Sequence, residues 1–244
     1  MTISVLGTFD VNHTSGTVMT WNFSTLTVLN GDLVIVAAVA EGNSTLTNDS
    51  AGWTLAGTVL ANRGGLGDLC RMYVWYKAAT YNWASSESIQ ITSDDTTKGK
   101  KFISHHIRTT ESWGVDAVTA TMGTDVTPSY PSPGLPPAYD IDGITLSSFD
   151  DALLRIAVCN DNGDEGTFDT SQSFSGHTRV TIMTGDEVGM ISIEKDSVAA
   201  GAVSALTLDT ISVLGGEVDG ICFSNVALRE GGGGSSNMML LGVG

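Results

Sequence analysis

The chain has 244 residues, 27 Asp plus Glu against 11 Lys plus Arg, and a formal net charge of −16; this argues against nucleic-acid binding, because contacts to phosphate rely on clustered Lys and Arg. Charged residues make up 16% and hydrophobic residues 41%, with 29 glycines along the chain, a composition that excludes disorder throughout and fits a compact, loop-rich globular protein. A chain of this length buries on the order of 70–75% of its unfolded surface and needs neither metal nor disulfide to fold.

Short stretches of period-two alternation and brief apolar runs recur between clusters of Gly, Asn, Asp and Ser, which is the pattern of strands and turns. In chain order the predicted strands are Ile3–Phe9, Val18–Phe23, Leu33–Val39, Trp53–Leu60, Met72–Ala78, Ser88–Thr92 and Phe102–Ile107. A second series follows at Ile144–Ser148, Leu153–Cys159, Thr178–Met183, Gly189–Ile193, Ser204–Leu208 and Gly220–Leu228. No amphipathic run longer than about ten residues shows helical spacing, and Gly201 interrupts the most helix-like piece, Ser197–Leu206. The predicted class is therefore all-β, an antiparallel, jelly-roll-like sandwich. The longest apolar run, Leu33–Ala40, is far short of the roughly 20 residues needed to cross a bilayer, and the N-terminus lacks the basic flank and apolar core of a signal peptide. A soluble product made in the cytoplasm, without membrane insertion, is expected. Cys70, Cys159 and Cys222 are widely spaced in apolar surroundings, which favours small buried thiols in a reducing compartment over a disulfide framework.

The two series read as two copies of one pattern. Gly31–Val36 corresponds to Asp150–Ile156, Gly52-Trp53-Thr54 to Gly176-His177-Thr178, Tyr76-Lys77 to Ile193-Glu194, and Phe102-Ile103-Ser104 to Ile221–Ser224, at offsets of about 120 residues, the sign of an internal duplication. Six or so strands per half are too few to close a jelly roll alone, so the expected organisation is one sandwich over residues 1–230 built from halves 1–112 and 113–230. Two packed small sandwiches are the alternative. The connection 127–140 holds all five prolines and reads as a stiff surface connector; Tyr130 and Tyr139 either contact a partner or pack it onto its own sandwich. Residues 1–112 carry nine acids and seven bases, net −2, whereas residues 113–230 carry eighteen and four, net −14. Residues 231–244 form a Gly-rich tether ending in an apolar peptide, Met238, Met239, Leu240, Leu241 and Val243. That peptide is expected to dock on a partner by strand addition or groove insertion, or else to fold back on its own sandwich.

Gly31–Val39, Gly52-Trp53-Thr54-Leu55, Tyr73–Ala79 and the closing Asn225-Val226-Ala227-Leu228-Arg229 together resemble duplicated β-sandwich modules of bacteriophage virion surface proteins, of decoration or tail-fibre type. Such modules also occur in bacterial surface proteins. The resemblance spans nearly the whole chain up to Arg229, but its motifs are structural: apolar strand cores, a buried-type Trp and turn glycines. It implies a fold and a setting: a virion protein assembled in the host cytoplasm, with its own copies and other capsid or tail proteins as partners, and no catalytic residues to carry over. In the second half His177 stands for the tryptophan and Glu194 for the lysine, so a shared ligand role at those positions is not implied.

Few constellations carry chemistry. Asp161, Asp164 and Asp169, in a loop with two glycines and two asparagines, offer hard oxygen ligands for Ca²⁺, although their spacing is not that of an EF-hand. The alternative is an acidic turn whose side chains bond their own backbone. His105 and His106 are adjacent on a predicted strand and must face opposite ways, and neither His13, His177 nor the cysteines complete a zinc set. No Gly-x-Ser-x-Gly elbow or phosphate-binding loop occurs, and Gly64-Gly65-Leu66-Gly67 reads as a hairpin turn. Acids that could form a hydrolytic pair are too numerous to select among. Among the five tryptophans, Trp53 and Trp75 lie in strand patterns and belong to the core, while Trp83 and Trp113, near turns, are candidate platforms for a sugar ring, or else further packing. The reading is a non-enzymatic virion structural protein without a cofactor other than calcium at that loop. Alternatives are a glycan-binding host-attachment module and, third, a polysaccharide hydrolase.

Overall fold

Leu33–Ala40, and Ala152–Cys159 apart from Arg155, are apolar at odd and even positions alike, which suits a strand covered on both faces. In the computed structural model both are central strands, and every residue from Leu33 to Glu41 is buried. The structure describes residues 3–13, 17–64, 68–84, 86–97, 99–109, 113–127, 137–146, 151–160, 166–177, 179–183, 188–198, 201–212 and 220–230.

Among these residues there are eighteen strands and no α-helix. The first half holds β1 (Ile3–His13), β2 (Val18–Asn22), β3 (Leu33–Glu41), β4 (Leu46–Asn48), β5 (Thr54–Asn62), β6 (Asp68–Ala78), β7 (Ser88–Ser93) and β8 (Lys100–Thr109). The second holds β9 (Trp113–Asp125), β10 (Ala138–Ile141), β11 (Ile144–Leu146), β12 (Asp151–Asn160), β13 (Gly166–Phe168), β14 (Arg179–Met183), β15 (Val188–Val198), β16 (Gly201–Val203), β17 (Leu206–Ser212) and β18 (Gly220–Glu230).

The duplication is visible strand for strand. In the first half a large sheet has the order β1-β8-β3-β6-β5 and a small one β2-β7-β4; in the second the orders are β9-β18-β12-β15-β14 and β10-β17-β13. Each strand takes the place of its counterpart. The pairing of first with last, third with sixth and second with seventh is that of a long hairpin ladder wound into a jelly roll. Each half thus has eight strands in this order, more than the seven and six expected from sequence, and the second adds a two-stranded ribbon, β11-β16.

The layers follow from side-chain alternation. Ile35, Ala37, Val39, Met72, Val74 and Ile103 of one large sheet face Leu154, Ile156, Val158, Met190, Cys222 and Val226 of the other, so the two sheets share one core. The opposite face of the first sheet, with Val36, Ala38, Tyr73, Trp75 and Phe102, is covered by Met19, Leu46, Ile89 and Ile91 of its small sheet. In the second half Ala157, Cys159, Ile191, Ile193 and Phe223 are covered by Tyr139, Ile141, Phe168 and Leu208. Leu153, Val198 and Ala227 extend that face under the ribbon, against Leu146. The order is small sheet, large sheet, large sheet, small sheet.

Several sequence-level expectations shift. The ladder places Val34 opposite Lys77 and Leu153 opposite Lys195, so Lys195 is the counterpart of Lys77 and Glu194 that of Tyr76, one residue away from the correspondence read in the sequence. β9 has no counterpart among the strands expected from sequence, yet its Val118, Ala120 and Met122 pack on the shared core from the sheet edge. The stiff connector does not run to Asp140, because Ala138–Ile141 is a strand with Tyr139 fully buried; Pro137 serves it by accepting bonds at its carbonyl from the Thr210 amide and hydroxyl. Tyr130 and the rest of 128–136 lie outside the described residues, as does the tail 231–244 with Met238, Met239, Leu240, Leu241 and Val243. All three cysteines are free and buried, with Cys70 and Cys222 facing one another across the shared core at 3.5 Å. The neighbouring thiol and burial push the Cys70 thiol well up.

Candidate functional site

His105 and His106 face opposite ways, as adjacent strand residues must. His105 points into the shared core, where Nδ1 donates to Glu194 Oε1 at 3.1 Å and Nε2 lies 3.1 Å from Ser192 Oγ. Glu194 and Ser192 are two apart on β15, so both reach across from the same face of the second large sheet. The row has the connectivity of a serine–histidine–acid triad, but relative exposure is 0% for His105, 1% for Ser192 and 2% for Glu194. A nucleophile needs an open approach for its substrate, and this one is walled in by the core. What the row supplies is a polar tie between the halves. Further ties come from Asn160 Nδ2, which donates to the Leu69 carbonyl, from Cys222 Sγ to the Cys70 carbonyl at 3.2 Å, and from Trp113 Nε1 to the Gly31 carbonyl at 2.7 Å.

His106 lies on the other face, in a charged knot at the start of β3. Asp32 accepts from His106 Nε2 at 2.7 Å, from Arg108 Nε and Nη2 at 2.7 and 2.6 Å, and from the Leu29 amide at 2.7 Å. Burial works to raise the Asp32 carboxyl, but Arg108, the Leu29 amide and His106 together hold it below the usual carboxylate range. The planar guanidinium fork matches both carboxylate oxygens, which fixes the turn through Gly31 (φ 92°) that feeds the central strand.

The outer parts of the two halves diverge. In the first, Trp53 stacks on Phe23 with centroids 5.8 Å apart, and Trp83 packs on Phe23 at 5.2 Å and Trp53 at 6.2 Å. Lys77 Nζ sits 5.4 Å from the Trp83 ring and 2.6 Å from Glu87 Oε1, and Glu87 also accepts from Tyr81. Burial opposes the ionised Glu87, yet Lys77 and Tyr81 lower its carboxyl. Beside this cluster a shallow cleft of about 260 Å³ opens between β4 and β5, lined by Asn48, Ser50, Trp53, Leu55, Tyr73 and Trp75. In the second half the corresponding region is a larger cleft of about 570 Å³ lined by Arg155, His177, Lys195 and Ser204 among small apolar residues.

The residues selected from sequence are not gathered in one place. Trp83 belongs to the aromatic cluster of the first half, whereas Trp113 packs against the shared core. Asp161 and Asp164 lie outside the described residues. Asp169 accepts from the Ser171 amide at 2.7 Å, a turn-capping bond that lowers its carboxyl. Among the described residues no group of three or more His, Cys, Asp or Glu side chains is placed to hold a metal ion. Sequence reading passed over Arg155 and Lys195. The available signal was an arginine in the middle of an otherwise apolar central strand, since a long charged side chain rarely occurs there without a role. A scan of protein-family models finds no match for this chain, and a search of curated proteins finds none.

Two outcomes follow. His105→Ala leaves Glu194 buried without this donor and should lower unfolding free energy by about 3–5 kcal/mol, with Glu194→Ala alone costing about as much and the double variant well short of their sum. Additive losses in urea denaturation would show that the row is not a coupled unit. Asp32→Asn should cost about 1–3 kcal/mol at pH 7. Because the folded-state carboxyl lies below its unfolded value of about 3.9, Asp32 contributes stability at higher pH that is lost as pH falls through the folded-state value. The gap between wild type and variant should therefore narrow in urea melts taken below about pH 4; a gap constant from neutral to strongly acidic pH would contradict this account.

Proposed function

We propose that this chain is a non-enzymatic bacteriophage virion structural protein, an exposed capsid decoration or tail-fibre-associated subunit that assembles with its own copies and with other virion proteins. The observation that carries this reading is the doubled jelly roll with a shared core. Two halves, each a five-stranded and a three-stranded sheet in matching strand order, are fused through one buried layer, and the triad-like Ser192, His105 and Glu194 are used up inside that layer as a structural tie. Such a body buries its shared layer and places a small sheet outermost on each half. The step from fold to virion is by analogy, since eight-stranded jelly rolls build viral capsid and lectin domains. The charge of −16 supports solubility at high local copy number.

The test is mass spectrometry of density-purified particles from a host producing the chain. The protein should be present at many copies per particle and remain after washing with high salt. Its recovery only from the soluble lysate, with particles lacking it, would overturn the reading.

A second reading, a glycan-binding host-attachment module, is favoured by the cleft between β4 and β5, where the partly exposed Trp53 lies beside Asn48 and Ser50, the pairing of an aromatic ring with polar edges that suits a sugar; Trp75 lines the cleft as a buried core residue. On a glycan array the purified chain should bind a defined subset of glycans, and Trp53→Ala should abolish that binding. Equal signals for wild type and variant would remove this cleft as the site.

A further inference from the structure

The two halves differ in how they fill one region, and the second leaves it open around positive charge. Three positions define the region. One is the central-strand residue opposite Trp75 in the first half and opposite Ile193 in the second, which is Val36 and Arg155. Another follows a left-handed glycine, Gly52 (φ 80°) or Gly176 (φ 75°), and is Trp53 or His177. The last is Lys77 or Lys195, conserved between the copies by register.

In the first half the space is occupied by the rings of Phe23, Trp53 and Trp83, and the lysine is neutralised by Glu87 at 2.6 Å. In the second half Phe174 packs against His177 with centroids 6.1 Å apart, but a cleft of about 570 Å³ remains. That volume lies in the range of small-ligand sites. Arg155 forms its floor with 0% exposure. Its Nη2 donates to the Ser204 carbonyl at 2.6 Å, while Nε and Nη1 are buried without an acceptor. His177 lies with Nδ1 3.2 Å from the Ser175 carbonyl, and its Nε2 is likewise buried without a partner. Lys195 lines the same cleft.

A guanidinium taken out of water with donors unused is unfavourable unless something supplies acceptors and countercharge. No ion pair among the described residues does so for Arg155 or Lys195. Burial lowers the Arg155 guanidinium and the His177 imidazole from their ordinary values, and the nearby charges of Arg155 and Lys195 lower His177 further. This concentration of positive charge stands in the half that carries eighteen acids and only four bases. Non-specific attraction of anions to such a surface is disfavoured, so an anion held here is held by local donors.

We propose that the cleft lined by Arg155, His177 and Lys195 binds a small oxyanion-bearing ligand, a carboxylate, sulfate or phosphate group free or carried on a body about the size of one sugar ring. Arg155 Nε and Nη1 and His177 Nε2 supply hydrogen bonds to its oxygens, Lys195 supplies charge, and Val198, Ala202, Val203 and Leu206 face the uncharged body. The site is separate from the cleft of the first half and does not depend on the virion reading.

Titration calorimetry on the full chain at low ionic strength tests this with four probes: glucuronate, glucose, inorganic sulfate and inorganic phosphate. Glucuronate should bind at least about tenfold more tightly than glucose, which differs from it by the carboxylate alone, and added sodium chloride should weaken it. Binding of sulfate or phosphate without glucuronate also supports the site and assigns it to a free inorganic oxyanion. Lys195→Gln and Arg155→Gln should each weaken the bound probe by about tenfold or more, while Lys77→Gln at the matching position of the first half leaves it unchanged. Should Arg155→Gln fail to fold, Lys195→Gln at the cleft wall carries the test. Absence of binding by all three anions at millimolar concentration, equal binding of glucose and glucuronate, or binding indifferent to Lys195→Gln would each overturn the proposal.

Discussion

The rest of the structure depends on the burial of both faces of two large β-sheets. A strand such as Leu33–Glu41 has no polar face to offer water, so its sheet must be covered twice, and one half of the chain supplies only one cover. The small sheet β2-β7-β4 takes one side and the large sheet of the other half takes the remaining one. The same holds for β12 and its sheet. Burying aliphatic side chains in this way stabilises by roughly 25 cal/mol per Å² of apolar surface, and the central layer draws its residues from both halves. The duplication therefore has a physical purpose: each copy covers the face that the other cannot leave exposed.

Within that apolar layer the polar row of His105, Ser192 and Glu194 sets how the halves meet. Apolar side chains pack in many registers at similar energy, but a buried carboxylate and imidazole tolerate very few arrangements, because each unmade bond is costly in a low-dielectric interior. The Asp32 knot does comparable work at the entry to β3, where the guanidinium fork of Arg108 and the imidazole of His106 determine the turn. Consecutive histidines on β8 thereby serve two layers, one the contact between halves and the other the outer side of the first large sheet.

The outer regions had more freedom to diverge, since the shared core does not constrain them. In the first copy they collapsed into aromatic packing around a neutralised lysine. In the second, His177 stands at the position of the aromatic and Arg155 at that of the strand valine, and the volume is open. The two copies thus differ in packing at these positions while keeping strand order and register.

The sequence by itself determined the all-β class, most strand positions, the duplication and the opposite facings of His105 and His106, because these follow from local alternation, turn residues and a repeat in one dimension. It could not reveal the short strands β4, β13 and β16, whose three residues hold no period, nor β10 inside a proline-rich stretch, nor the one-residue offset that makes Lys195 the partner of Lys77. Only the tertiary structure decided that His105 meets Ser192 and Glu194 across more than eighty residues of chain, and that Arg155 and Lys195 share a cleft with His177. Those meetings arise from the packing of layers and from the register of paired strands, and neither leaves a local mark in the order of residues.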